Sequence, residues 1–159
     1  MGLYALIQNV LVYEKHFYLL PFAVYYLLSN HKSPNYGRLP QQCNHTGLWN
    51  TAASWQVYNG TSWVTATTPP TSADGVITIV AGDSIRLNNA TTIDQVVIEA
   101  GGTLAIFNTG TPTTFTLDDG AGNDIEVNGK LYISAGATLT GAGIIQNNSG
   151  GTMVLRNQG

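Results

Sequence analysis

Along the second half of the chain, apolar residues alternate with polar or small ones in short runs: Val76–Ile79, Thr103–Ile106, Asp124–Val127 and Lys130–Ile133. Each run offers one apolar face to a core, the period-two signature of a half-buried strand. Gly, Asn and Asp separate the runs. They accept the positive φ of tight bends at little cost, and they come too often to leave room for helices. One unit recurs nearly intact: Gly101–Gly110 returns as Gly150–Gly159, keeping both glycines, the threonine, the apolar pair and the asparagine. Looser copies lie at Gly129–Gly136 and Gly82–Asn89. Aligning Ile85, Leu104, Leu131 and Met153 gives steps of 19, 27 and 22 residues, the irregular period of stacked solenoid coils. A single coil cannot bury its apolar face, but stacking buries it against the same face of the next coil. The pattern therefore predicts an all-β fold, with a parallel β-solenoid over residues 75–159. Because the chain stops at Gly159, just after a repeat unit, the solenoid is expected to be truncated.

Upstream, the pattern changes. Residues 47–74 hold Trp49, Trp55 and Trp63, and Asn59-Gly60 between two alternating runs predicts a β-hairpin with a two-residue turn. That register sets Tyr58 opposite Thr61 and Gln56 opposite Trp63, with Trp55 and Val57 on the other face. Two readings of the aromatic residues stand. They form a cap over the open end of the solenoid, which needs cover against edge pairing. Alternatively Trp49, Trp55, Tyr58 and Trp63 form a platform on which sugars stack. Residues 33–46, with two prolines and no periodicity, read as a linker.

Residues 1–32 form a short apolar leader that a helix would suit, with twelve apolar or aromatic residues over 17–28. That is short for a membrane span, which needs about 20 residues, but it suits the core of an export signal. An anchor interrupted by charge and a buried N-terminus are the alternatives. The chain touches a membrane only through this leader, and only if the leader is not cleaved.

Composition narrows the function classes. Only 9% of the 159 residues are charged, 43% are apolar and 18 are glycine, so polarity rests on Thr, Asn, Ser and Gln. The net charge of −3 hides an acidic body: residues 41–159 carry eight acids against Arg86, Lys130 and Arg156. Three cations scattered along that body give no footprint for nucleic acid. Cys43, the only cysteine, excludes an internal disulfide framework and reads as just a small side chain.

Three motifs then acquire weight together. Gly47-x-Trp49-Asn50 is followed by Trp55, Pro70–Ile79 carries Asp74-Gly75, and Thr92–Leu104 carries Asp94 and Gly101-Gly102. In this order they resemble the N-terminal region of large secreted surface proteins of Bacteroidetes-type bacteria, over roughly residues 47–159. The resemblance implies export to the cell surface or medium and a right-handed β-helix of structural or adhesive use. It also implies that the segment heads a longer polypeptide.

Candidate chemistry is sparse. Asp118, Asp119 and Asp124 partly match a calcium-binding nonapeptide, yet the phase fails at Glu126 and the motif occurs once; a turn closed by Asp and Asn explains it equally well. Asp83, Asp94, Glu99 and Glu126 are scattered over different coils, and the three histidines all lie in the first 45 residues. No nucleophile, base and orienting group can be named, and no cofactor is called for. Thr114-x-Thr116 and Thr138-x-Thr140 lie 24 residues apart, where stacking would make the flat hydroxyl array of an ice-binding solenoid, provided Phe115 and Leu139 point inward. The expectation is a non-catalytic structural or adhesive segment of an exported surface protein. Its partners would be glycans or other surface proteins. A carbohydrate-binding module is the alternative, with a polysaccharide-acting enzyme and an ice-binding solenoid behind it.

Overall fold

The structure is a computed structural model that describes residues 41–43, 45–108, 113–120 and 122–156, all in one compact unit. The leader expected over residues 1–32 lies outside the described residues. Among those described, no helix is long and apolar enough to cross a membrane.

Four strands come first: β1 (Gln41–Cys43), β2 (Gly47–Leu48), β3 (Trp55–Tyr58) and β4 (Trp63–Thr65), with one 3-10 turn at Ala52–Ser54. A repeating succession follows. Its first round is β5 (Ile77–Ile79), β6 (Ser84–Leu87) and β7 (Thr91–Ile93), and its second is β8 (Val96–Ile98), β9 (Thr103–Ile106) and β10 (Thr114–Leu117). The third is β11 (Ile125–Val127), β12 (Lys130–Ile133) and β13 (Thr138–Gly141), and β14 (Ile145–Asn147) and β15 (Thr152–Leu155) begin a fourth. In every round the first strand joins a first sheet, the second a second sheet and the third a third sheet. Neighbouring rounds pair in parallel. Among the described residues the regular structure is thus almost wholly β, in parallel stacks compatible with a β-solenoid.

The register follows the sequence alignment. Ile85 pairs with Leu104, Leu104 with Leu131 and Leu131 with Met153 in the second sheet. Ile77, Val96 and Ile125 form the equivalent inward ladder in the first sheet, and Phe115 with Leu139 in the third. Most of these side chains are fully buried. Leu139, Ile145 and Met153, in the last strands of the three sheets, are only half-buried against that core. β-branched residues suit this geometry because their stiff side chains pack on a pleated face.

The corner between the first and second sheets explains the recurring glycines. Thr103 N–H donates to Asp83 C=O at 2.9 Å, Lys130 N–H to Gly102 C=O at 2.9 Å and Thr152 N–H to Gly129 C=O at 2.8 Å. Backbones therefore stack directly on one another here. A methyl at Gly102 would sit 2.7 Å from Ile79 O, and one at Gly129 would fall on the carbonyl oxygens of Glu99 and Gly102. Asn148 Nδ2 donates to Asn128 Oδ1 at 2.9 Å beside this corner, linking two successive coils through their side chains.

Two expectations need correction upstream. Gln41–Cys43, within the segment read as linker, is a strand at the heart of the first sheet, parallel to β5 on one side and antiparallel to β3 on the other. The hairpin forms, but Tyr58 faces Trp63 and Gln56 faces Thr65, a slip of two residues from the expected register. The cause is Asn59. Its Oδ1 accepts from Thr61 N–H (3.0 Å), Thr61 Oγ1 (2.9 Å) and Ser62 N–H (3.0 Å), so the turn spans Asn59–Ser62 around Gly60 at φ +100°. A slip of two keeps every side chain on its expected face.

Candidate functional site

The four aromatic residues of the expected platform divide into two pairs. Trp49 and Trp55 are 2% and 0% exposed and pack edge to face with ring centroids 5.0 Å apart. Trp49 N–H donates to Arg86 C=O, which holds the residue against β6, and its ring meets the buried Phe115 at 6.1 Å. Both indoles are satisfied: Trp49 Nε1 donates to Pro70 O at 3.1 Å and Trp55 Nε1 to Trp49 O at 2.8 Å. Neither ring has a face left for a sugar. Tyr58 and Trp63 lie on the opposite face of the hairpin, 5.5 Å apart and tilted by 56°, with Trp63 39% exposed. Only this second pair retains an accessible apolar surface.

The acidic candidates do not converge. Asp124 is buried and its carboxylate ties coils together, Oδ2 accepting from Ile144 N–H at 2.6 Å and Oδ1 from Gly120 N–H at 3.2 Å. Asp118 and Asp119 are exposed at the start of the same loop. Glu99 Oε2 accepts from Ala81 N–H at 3.1 Å, another tie between coils. Among the described residues no three His, Cys, Asp or Glu side chains stand close enough together to hold a metal ion. Cys43 is buried, and its Sγ accepts from Val80 N–H at 3.2 Å. Burial pushes its thiol up to about 12, so it stays protonated and unreactive at neutral pH.

The threonine array is one rank larger than the sequence suggested. Thr92, Thr116 and Thr140 lie in register on the outer side of the third sheet, and Thr116 and Thr140 share a hydroxyl hydrogen bond at 3.2 Å. Thr114 and Thr138 are paired beside them. Phe115 is fully buried beneath the ladder and Leu139 half-buried.

One assembly was missed by sequence reasoning. The three cations that look scattered along the chain all belong to the outer side of the second sheet or its edge. Arg86, Ala105 and Tyr132 are successive partners across β6, β9 and β12. Arg86 stands 5.6 Å from the ring centre of Phe107, and Lys130 Nζ 6.0 Å from that of Tyr132. Phe107 and Tyr132 lie 5.6 Å apart at 38°, and with Arg86 they leave the outward-facing Ala105 only 6% exposed. Arg156 follows β15, its N–H bonded to Ile133 C=O. The signal was present in the repeat alignment: Arg86 and Tyr132 each stand one residue after an aligned core position, Ile85 and Leu131, and so face outward on the same sheet. Comparison with known protein families, curated proteins and solved structures finds no match to this chain.

Proposed function

We propose that the chain is a non-catalytic structural or adhesive segment of an exported surface protein, built as a right-handed parallel β-solenoid and closed at one end by its hairpin. The observation that carries this reading is the unbroken register of three sheets over successive coils. Such a stack draws stability from each coil–coil contact and makes a rod. Right-handedness follows from the strong general preference of parallel crossovers for that hand. Trp49 and Trp55, buried between hairpin and first coils, support the cap over the sugar platform. Export and surface location rest on the resemblance of residues 47–159 to Bacteroidetes-type surface proteins and on the apolar leader. The outward Thr, Ser, Asn and Gln side chains supply a hydrogen-bonding surface for adhesion.

A second reading, a carbohydrate-binding module, is favoured by the accessible Tyr58–Trp63 pair. Both are tested by incubating the full-length chain and its Trp63→Ala variant with immobilised neutral and acidic glycans. The structural and adhesive reading expects any retained glycan to stay uncut and its retention to be indifferent to Trp63→Ala, with circular dichroism unchanged. Release of shortened sugars would overturn it in favour of an enzyme. Retention lost in a folded Trp63→Ala protein would move the contact to the hairpin.

A further inference from the structure

Every described Lys and Arg gathers on or beside one sheet face, where ring contacts account for the placing of Arg86 and Lys130 but not for the absence of acid around them. Eight acids and three cations make up the charge of residues 41–159, yet β2, β6, β9, β12 and β15 contain no Asp or Glu. The nearest acid in sequence, Asp83, precedes β6 by one residue, at the corner. The remaining acids, Asp74, Asp94, Glu99, Asp118, Asp119, Asp124 and Glu126, all lie outside these strands. We propose that this face, with Arg86, Lys130 and Arg156 around the Phe107–Tyr132 pair, is a binding surface for an acidic polysaccharide. The proposal rests on the adhesive half of the reading above and gives that adhesion a partner class.

The chemistry fits in three respects. Strands in a sheet are spaced by roughly 4.8 Å, so Arg86 and Lys130, two strands apart, stand about 10 Å from each other along the stack, offset along the strands because Arg86 is in register with Tyr132, and Arg156 lies just past the end of β15. Exposed cations spread over one sheet face suit a chain that carries a carboxylate on its repeating sugars. Phe107 and Tyr132, tilted at 38° and 5.6 Å apart, are half-buried, with Arg86 against the one ring and Lys130 against the other, so cation and apolar surface alternate on this face. The C–H groups of a pyranose suit the apolar parts of such a face and its carboxylate suits the cations, whereas a nucleic-acid base entering between the rings would need them parallel and wider apart. Ser84, Thr103 and Thr152, on the same sheet, add hydroxyls for the sugar oxygens.

The test is affinity electrophoresis of the full-length chain in gels containing polygalacturonate, dextran or oligo-dT, with an Arg86→Gln/Lys130→Gln double variant and Trp63→Ala alongside. Both changes in the double variant are at exposed side chains, so circular dichroism should match the parent. Polygalacturonate is expected to retard the parent and Trp63→Ala equally, with dextran inert, retardation weakening with salt, and the double variant losing about tenfold in affinity. Retardation unchanged in the double variant would overturn the proposal, as would equal retardation by dextran. Loss in Trp63→Ala alone would also overturn it while leaving an adhesive protein whose site is the hairpin. Stronger retardation by oligo-dT would reassign the face to nucleic acid. If none of the polymers retards the parent, this inference falls and the structural role alone stands; cleavage of polygalacturonate would instead overturn the non-catalytic reading itself.

Discussion

Truncating Trp55 to alanine is expected to lower the stability of the fold by about 3–5 kcal/mol, the cost of removing a fully buried large aromatic side chain. Trp55 is 0% exposed, packs edge to face on Trp49 and closes the Trp49 carbonyl with its indole N–H. Truncation therefore leaves a cavity, strips one side of Trp49 and orphans a buried acceptor. Small domains are stable by about 5–15 kcal/mol, so the loss would bring the chain close to unfolding at room temperature. Urea denaturation of parent, Trp55→Ala and Trp63→Ala measures it. The exposed Trp63 should cost less than about 1 kcal/mol, within the ordinary range for surface changes. If the two variants are equally mild, the tryptophans do not seal the core, and the cap assigned to the hairpin is wrong.

Gly129→Ala is expected to be as damaging in its own way, destabilising by about 3 kcal/mol or more through overpacking of backbone rather than loss of contact. The added methyl meets the carbonyl oxygens of Glu99 and Gly102, and Gly102 C=O is the acceptor for Lys130 N–H. Relief requires prising two coils apart. Gly150→Ala is the fitting control: at φ +90° its backbone disfavours a side chain, but nothing lies within 4 Å of the new methyl. That variant should cost about 1–2 kcal/mol, the price of the left-handed conformation alone. Denaturation midpoints check the pair, and amide exchange at Lys130 and Thr152 should quicken only in Gly129→Ala.

Much of the fold was legible because the chain repeats itself. Once Gly101–Gly110 is matched to Gly150–Gly159, the aligned Ile85, Leu104, Leu131 and Met153 already state the register of the second sheet, because one inward position per strand fixes all others by alternation. What the repeat does not cover was harder to read. Gln41–Cys43 has no apolar alternation and becomes a strand because β3 and β5 flank it, a pairing decided by partners 14 and 36 residues away from Gln42. The hairpin turn was misjudged because Asn59 spends its side chain on three local donors. Trp49 and Trp55 were recognisable as important but not as buried, since an aromatic ring suits a core and a sugar platform alike. Asp124 read equally as a turn residue and as part of an incomplete calcium motif, because its actual partner, Ile144 N–H, is 20 residues ahead. The cationic face was the least legible, being assembled from residues 86, 107, 130, 132 and 156 by coils of unequal length.

Every functional argument about faces depends on the parallel register, and methyl-to-methyl nuclear Overhauser effects test it most directly. In a sample labelled at Ile, Leu and Met methyls, the account predicts sequential contacts from Ile85 to Leu104, Leu104 to Leu131 and Leu131 to Met153, with a second series linking Leu87, Ile106 and Ile133. Absence of both series, with backbone contacts pairing β6 to β7 as an antiparallel hairpin instead, would contradict the stacked coils and the faces built on them.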